Sequence, residues 1–263
     1  MIDLNNWIVL IVTFFAGMGA GLGTGFAGMS AAAVISPMLI TFLKMEPYTA
    51  VGIALASDVL ASAVSAYTYQ KNKNLDIKNG LLMMAMVLLF TVVGSYVSSI
   101  VPAQTMGGFS TFMTLILGIK FIVKPVMTTK QQMEAISKKK KVIGSIICGI
   151  FIGFICGFIG AGGGMMMLLI LTSVLGYELK TAVGTSVFIM TFTALTGAIS
   201  HFSLGDSPNP LVMGLCVIFT FAWAQIAAKF ANKAKPETLN RAVGVVLATL
   251  GIIILGFEYL VQS

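Results

Sequence analysis

Charge is scarce in this chain. Asp, Glu, Lys and Arg make up 10% of its 263 residues, whereas soluble domains carry about 25%. A chain this poor in charge could not cover its surface in water. At 57% hydrophobic residues and a mean hydropathy of +0.98 it reads as an all-α integral membrane protein. Histidine occurs once, as His201, and cysteine three times, as Cys148, Cys156 and Cys216, each in an apolar stretch without metal-type spacing. These spacings exclude a metal centre built on His and Cys and leave the cysteines as small core residues. Paired carboxylates are missing too, so an intramembrane enzyme finds no support. "GTGFAG" at 23–28 matches G-x-G-x-x-G, but it lies inside an apolar span with no strand before it, and a lone match is weak. No cofactor is expected. The net charge of +7 does not point to nucleic acid, because the basic residues fall in short runs between apolar spans. Such runs orient membrane proteins.

What the chain does have is long apolar blocks, at 5–43, 48–70, 80–101, 106–124, 142–176, 181–203, 209–229 and 240–260. One helical crossing takes about 20 residues. As single helices, blocks 5–43 and 142–176 would reach about 50–60 Å, so each must break. Each holds a glycine-rich stretch near its middle, at 21–28 and 157–164. The result is ten segments, of which 29–43 and 163–176 are short enough to leave full crossing and re-entry both open. Three loops are basic: 71–79 with Lys71, Lys73 and Lys78, 125–141 with Lys130 and Lys138 to Lys141, and 229–241 with Lys229, Lys233, Lys235 and Arg241. The N-terminus (Asp3), loops 101–106 and 204–209 (Asp206) and the C-terminus (Glu258) carry no Lys or Arg. Ten crossings with both termini outside put every basic loop in the cytoplasm. "MIDLNNW" lacks the basic region of a cleaved signal peptide.

A repeat lies beneath the glycines. "TAVG" occurs at 49–52 and at 181–184, an offset of 132 residues. The same offset carries Gly17, Gly21, Gly25 and Gly28 onto Gly149, Gly153, Gly157 and Gly160, and Tyr69 onto His201. The predicted organisation is a first membrane repeat at 1–124, a basic linker at 125–141 and a second repeat at 142–263. Five crossings per copy would invert one copy against the other, and inverted repeats place a transporter's substrate at their interface near the midplane. Gly17, Gly21, Gly149 and Gly153 have the spacing of close helix packing. The run "GAGGG" at 160–164 does not, since adjacent glycines face all directions.

A helix broken within a bilayer frees backbone N–H groups that are tolerable only where they line a cavity or meet a ligand. Helix starts also carry the positive end of the dipole and suit anions. "GFAGMS" (25–30) and "GFIGAGGG" (157–164) are two such starts, and no Lys or Arg lies mid-span. The expected ligand is therefore a small anion held by backbone and hydroxyl groups.

The paired segments "GFAGMSAAAVISPMLITFLKMEPYTAVG" and "GFIGAGGGMMMLLILTSVLGYELKTAVGTS" resemble the TauE/SafE family of sulfite and organosulfonate exporters, over nearly the whole chain. The resemblance implies a permease for small sulfur-containing or related organic anions in a bacterial or archaeal plasma membrane, exporting in some members and importing in others. Candidate substrate-binding residues are Gly25, Gly28, Ser30, Thr49, Gly160, Gly162, Gly163, Thr181, Thr185 and Ser186. The chain departs from a symmetric motif at 53–54, where "TAVGIA" faces the "GTS" of 184–186.

Asp58 is the one carboxylate deep in a span, and an ionisable group there is a functional hypothesis by default. Ser62, Ser65 and Tyr69 share its helical face. Asp58 either carries a coupling proton or cation, or bonds neighbouring helices as a neutral group; its counterpart at the repeat offset is Met190. The first functional reading is a secondary anion exporter. The alternatives are an ion-coupled importer of another organic anion and a non-transporting subunit of a membrane complex. The sequence leaves the oligomeric state open.

Overall fold

The computed structural model describes residues 4–99, 109–159, 163–204 and 208–262, and their regular structure is entirely helical. The helices are α1 (Leu4–Ala27), α2 (Ala32–Leu43), α3 (Pro47–Lys71), α4 (Ile77–Ser99), α5 (Phe109–Val123), α6 (Lys130–Glu134), α7 (Lys138–Ile159), α8 (Gly163–Ser173), α9 (Leu179–Leu204), α10 (Pro210–Lys233) and α11 (Pro236–Gln262). Among the described residues six helices are long and apolar enough to cross a membrane, namely α1, α3, α4, α9, α10 and α11.

Local signals set several of these starts. Glu46 accepts from the amides of Tyr48 and Thr49 with Pro47 at the first position of α3. Asn209 and Pro210 do the same for α10. Thr129 and Gln132 form a reciprocal capping box on α6. The two short segments stay short: α2 has 12 residues and α8 has 11. At 1.5 Å per residue they reach about 18 and 16 Å, against a hydrocarbon core of about 30 Å. Neither matches that thickness as a straight helix.

The helices pair across the two halves of the sequence. α1 lies along α10, α4 along α7, α3 against both α9 and α10, and α5 against α11. Between apolar helices in lipid no hydrophobic drive remains, and small residues let backbones approach instead. A Cβ added at Gly21 would stand 2.6 Å from the Thr220 carbonyl oxygen and 2.7 Å from Trp223 Cβ on α10. Gly17 meets Phe219 and Thr220 on the same helix, while Gly149 and Gly153 meet Met83 and Val87 on α4. These four glycines have the packing role their spacing suggests. The cysteines are free thiols, and Cys148 and Cys216 are buried.

The three basic loops gather at one end of the bundle. Lys130 Nζ donates to the Lys73 carbonyl, Asn74 Nδ2 to Asn232 Oδ1 at 2.7 Å, and Asn240 Nδ2 to the Val126 carbonyl at 2.9 Å. At the far end of α3, Tyr48 stacks on His201 with ring centroids 4.1 Å apart. His201 is thus an end-of-helix residue, half-buried against a neighbour.

Gly21→Val is expected to lower the midpoint of thermal unfolding in detergent, because overpacking of this kind costs about 1–3 kcal/mol. Gly214 has open space around it, so Gly214→Ala should leave the midpoint unchanged or raise it. Equal effects from the two substitutions would contradict the close packing of α1 on α10.

Candidate functional site

The first glycine-rich stretch ends α1 at Ala27, and Gly28 takes φ 61° before the chain re-enters helix at Ala32. Left-handed backbone of this kind costs other residues roughly 1–2 kcal/mol. The Gly28 amide donates to the Thr24 carbonyl at 2.9 Å and the Met29 amide to the Gly23 carbonyl at 3.1 Å. Thr24 Oγ1 donates back to the Met29 carbonyl at 2.8 Å. The turn therefore satisfies the amides of Gly28 and Met29 from within α1. These two amides close the end of one helix and are not the open donors that an anion at this break would need.

Ser30 takes over where the turn ends. Its Oγ receives the Ala32 amide at 3.3 Å and its carbonyl receives the Ala33 amide at 3.2 Å, so it caps the start of α2. The same Oγ donates to Asp58 Oδ2 at 2.8 Å. Ser62 Oγ donates to Asp58 Oδ1 at 2.9 Å from one turn further along α3. Both carboxylate oxygens are thus served by hydroxyls, and Asp58 and Ser62 are fully buried. Tyr69, two turns beyond Ser62, donates its hydroxyl to the Gly25 carbonyl at 2.9 Å. The face shared by Asp58, Ser62 and Tyr69 accordingly runs along the break. Ser65, on that face, is buried with no partner for its hydroxyl.

The second half meets this break directly. A Cβ added at Gly28 would collide with Ser186 Oγ of α9, and one at Gly164 would collide with the Gly28 carbonyl oxygen. It would also stand 2.7 Å from Met190 Sδ. Gly163 and Gly164 open α8, so the start of α8 lies against the end of α1. Gly160 and Gly162 lie outside the described residues.

Most of the other candidates are held by different partners. Gly25 sits within α1, packed against Ala224 and Ala227 of α10. Thr49 lies in the first turn of α3, its amide on Glu46 Oε2 at 2.7 Å. The amide bonds from Tyr48 and Thr49 hold the Glu46 carboxyl below the usual carboxylate range. Nine residues separate Thr49 from Asp58, about 13 Å along the axis. Thr181 donates to Glu178 Oε2 at 2.9 Å at the start of α9. The two "TAVG" threonines thus lie in the first turns of their helices, each bonded to a glutamate just before it, Glu46 or Glu178. Ser186 is brought to the break, although its hydroxyl donates to the Val183 carbonyl of its own helix at 2.9 Å. Thr185 Oγ1 accepts the Asp76 amide at 3.2 Å.

That last bond belongs to a network outside the candidate set. Tyr177 donates to Asp76 Oδ2 at 2.9 Å, Asn79 Nδ2 to the same oxygen at 2.7 Å, and the Asn79 amide to Oδ1 at 3.1 Å. Burial and the Asp76 charge push the Tyr177 hydroxyl well above its usual range, so it remains a donor. An Asp just before the apolar run from Ile77, with Asn three residues on, is a helix-start signal; its link to α9 is not in the sequence. Among the described residues no group of three or more His, Cys, Asp or Glu side chains is arranged to hold a metal ion.

Comparison with known proteins bears on this arrangement. The family model described as "Sulfite exporter TauE/SafE" matches residues 13–254. The chain is similar to a Bacillus subtilis (strain 168) protein described as "Probable membrane transporter protein YdhB", 22% identical over 94% of this chain and 99% of the relative. It is also similar to YunE of the same organism, with the same description, at 25% identity over 94% and 96%. MJ0441 of Methanocaldococcus jannaschii, another protein so described, is 25% identical over 94% of each chain.

Gly28→Ala is expected to destabilise the protein through both the left-handed backbone and the Ser186 hydroxyl. Ser186→Ala in that background should restore part of the loss in thermal unfolding, leaving about 1–2 kcal/mol of backbone strain. Strictly additive effects would show that the two residues do not touch.

Proposed function

The chain belongs to the TauE/SafE family of membrane transporters, and from that premise we propose that it is a secondary exporter of small sulfur-containing or related organic anions such as sulfite or sulfonates. The reading rests chiefly on one observation: the end of α1, the start of α8 and Ser186 of α9 converge, with the buried Asp58 carboxylate linked to the same break through Ser30.

Two inverted repeats give this convergence its geometry. In support, the offset of 132 carries α3 (Pro47–Lys71) to 179–203, beside α9 (Leu179–Leu204), and α2 (Ala32–Leu43) to 164–175, beside α8 (Gly163–Ser173). Exchanging the halves in this way also turns the α1–α10 pair into the α7–α4 pair. The repeats would span 1–124 and 142–263, joined by the basic linker 125–141, with both termini outside. Alternating access is then rocking of one repeat against the other about the shared break.

The two halves would divide the work. At the start of α8 an anion would suit the positive end of the helix. Gly160, Gly162 and Gly163 would supply amides there, with Ser186 turning its hydroxyl from the Val183 carbonyl to a substrate oxygen. In the first half the start of α2 already faces a carboxylate, that of Asp58. Substrate and an ionised Asp58 repel one another, so protonation of Asp58 would accompany substrate entry. Ser30 and Ser62 donate to both oxygens of the ionised group; a protonated carboxyl would itself donate, and one serine would have to reverse its bond. A proton moving with the anion would power inward movement from the proton gradient, and export would draw on the substrate gradient.

Purified protein in liposomes tests this. Sulfite or a small sulfonate should accumulate against its gradient when a pH difference is imposed, with carboxylates carried more slowly. Asp58→Asn should retain counterflow but lose the response to the pH difference by roughly tenfold, the rate equivalent of about 1.4 kcal/mol. An unchanged pH response in Asp58→Asn would remove the coupling role, and no flux of any anion by the purified protein would remove the transport reading.

A further inference from the structure

Away from the break, a groove of about 460 Å³ opens at the basic end of the bundle, between the start of α7 and the end of α8. Its upper rim carries Ser137, Lys139 and Lys140, and its walls include Ile143, Ile147 and Val174. We propose that this groove is a binding site for an anionic phospholipid, with the headgroup phosphate on Lys139 and Lys140 and an acyl chain along Ile143, Ile147 and Val174.

The first argument is charge. Lys138 to Lys141 occupy the first turn of α7, which has no acidic residue there. Cations at a helix start oppose the dipole, so this turn accumulates positive potential from two sources. Among the described residues no carboxylate pairs with any of the four, and Lys138, Lys139 and Lys140 are exposed. A phosphate on the rim would relieve that repulsion. The Ser137 hydroxyl, which already receives the Lys140 amide at 3.3 Å, lies at the same level.

The second argument is the wall below. Ile143 is 44% exposed, Ile147 48% and Val174 59%, so the groove is open laterally on an apolar face. Ile143 and Ile147 are one turn apart on α7 and descend from the lysines toward the middle of the helix. A polar rim continuous with an apolar wall, at the end where the basic loops meet, has the division of a phospholipid's own chemistry. A free phosphate would use only the rim. A second copy of this chain would bring its own lysines against these. Basic pockets between membrane helices are recognised sites for anionic headgroups, worth about 1 kcal/mol per Lys near the surface.

The whole protein, released from detergent in native mass spectrometry with equal phosphatidylglycerol and phosphatidylcholine, is expected to retain phosphatidylglycerol preferentially. Lys139→Gln and Lys140→Gln should each lower that preference about fivefold, the factor matching about 1 kcal/mol, and Lys139→Arg with Lys140→Arg should restore it. Lys229→Gln with Lys233→Gln, in the last turns of α10, should leave it unchanged. Equal retention of the two lipids, an unaltered preference in the Lys139 and Lys140 variants, or an equal loss in the Lys229 and Lys233 control would overturn the proposal. Equal retention of glycerol phosphate would reassign the groove to a free phosphate. A dimer that excludes lipid would reassign it to a second copy.

Discussion

A backbone that stops being helical inside hydrocarbon must find a partner for every amide and carbonyl it frees. The turn from α1 to α2, between two apolar helices, takes up its freed groups locally. Gly28 provides the left-handed step, Thr24 and Gly23 take back the freed amides, and Ser30 caps the start of α2. None of these bonds reaches beyond a few residues of sequence. The neighbours come from afar: Tyr69 closes on the Gly25 carbonyl, Ser186 lies over Gly28, and Gly164 lies against its carbonyl. Neither glycine has room there for a larger residue.

The two halves bring different chemistry to the place where α1, α8 and α9 meet. In the first, a carboxylate held by Ser30 and Ser62 stands near the start of α2. At the equivalent position of the second half stands Met190, whose sulfur packs against Gly164. A carboxylate contributed by one half and a thioether by the other make the two sides of this contact chemically unlike. The hydroxyl-bearing "GTS" of 184–186 faces "GIA" at 52–54, so the second half has side-chain hydroxyls where the first has none. The carboxylate and the hydroxyls lie in opposite halves.

Much of the architecture was legible because it rests on period and composition. Apolar length marked the helices, lysine clusters marked the loops that gather at one end, and glycine spacing marked the α1–α10 and α4–α7 contacts. Pro47 and Pro210, each after a capping residue, open two of the helices. The site was less legible. Thr49 and Thr181 stood out because they repeat, yet both are first-turn residues bonded to a preceding glutamate. Repetition does not separate a first-turn residue from a ligand. Ser30 was named for its position beside the glycines, and its bond to Asp58 crosses 28 residues. The Asp76–Tyr177–Thr185 network had no signal beyond a helix cap, because its members approach only when the two halves are packed together.

By itself the sequence determined that the chain is built of apolar helices suited to a bilayer, that two apolar blocks exceed the length of one crossing, and that one carboxylate lies within an apolar span. These follow from local quantities: hydropathy, helical rise and the backbone preferences of glycine. Only the tertiary structure decided which groups the break meets. Hydrogen-bond partners within bonding distance are fixed by the mutual placement of α1, α3, α8 and α9. That placement depends on shape complementarity summed over many contacts, to which no single stretch of sequence gives access.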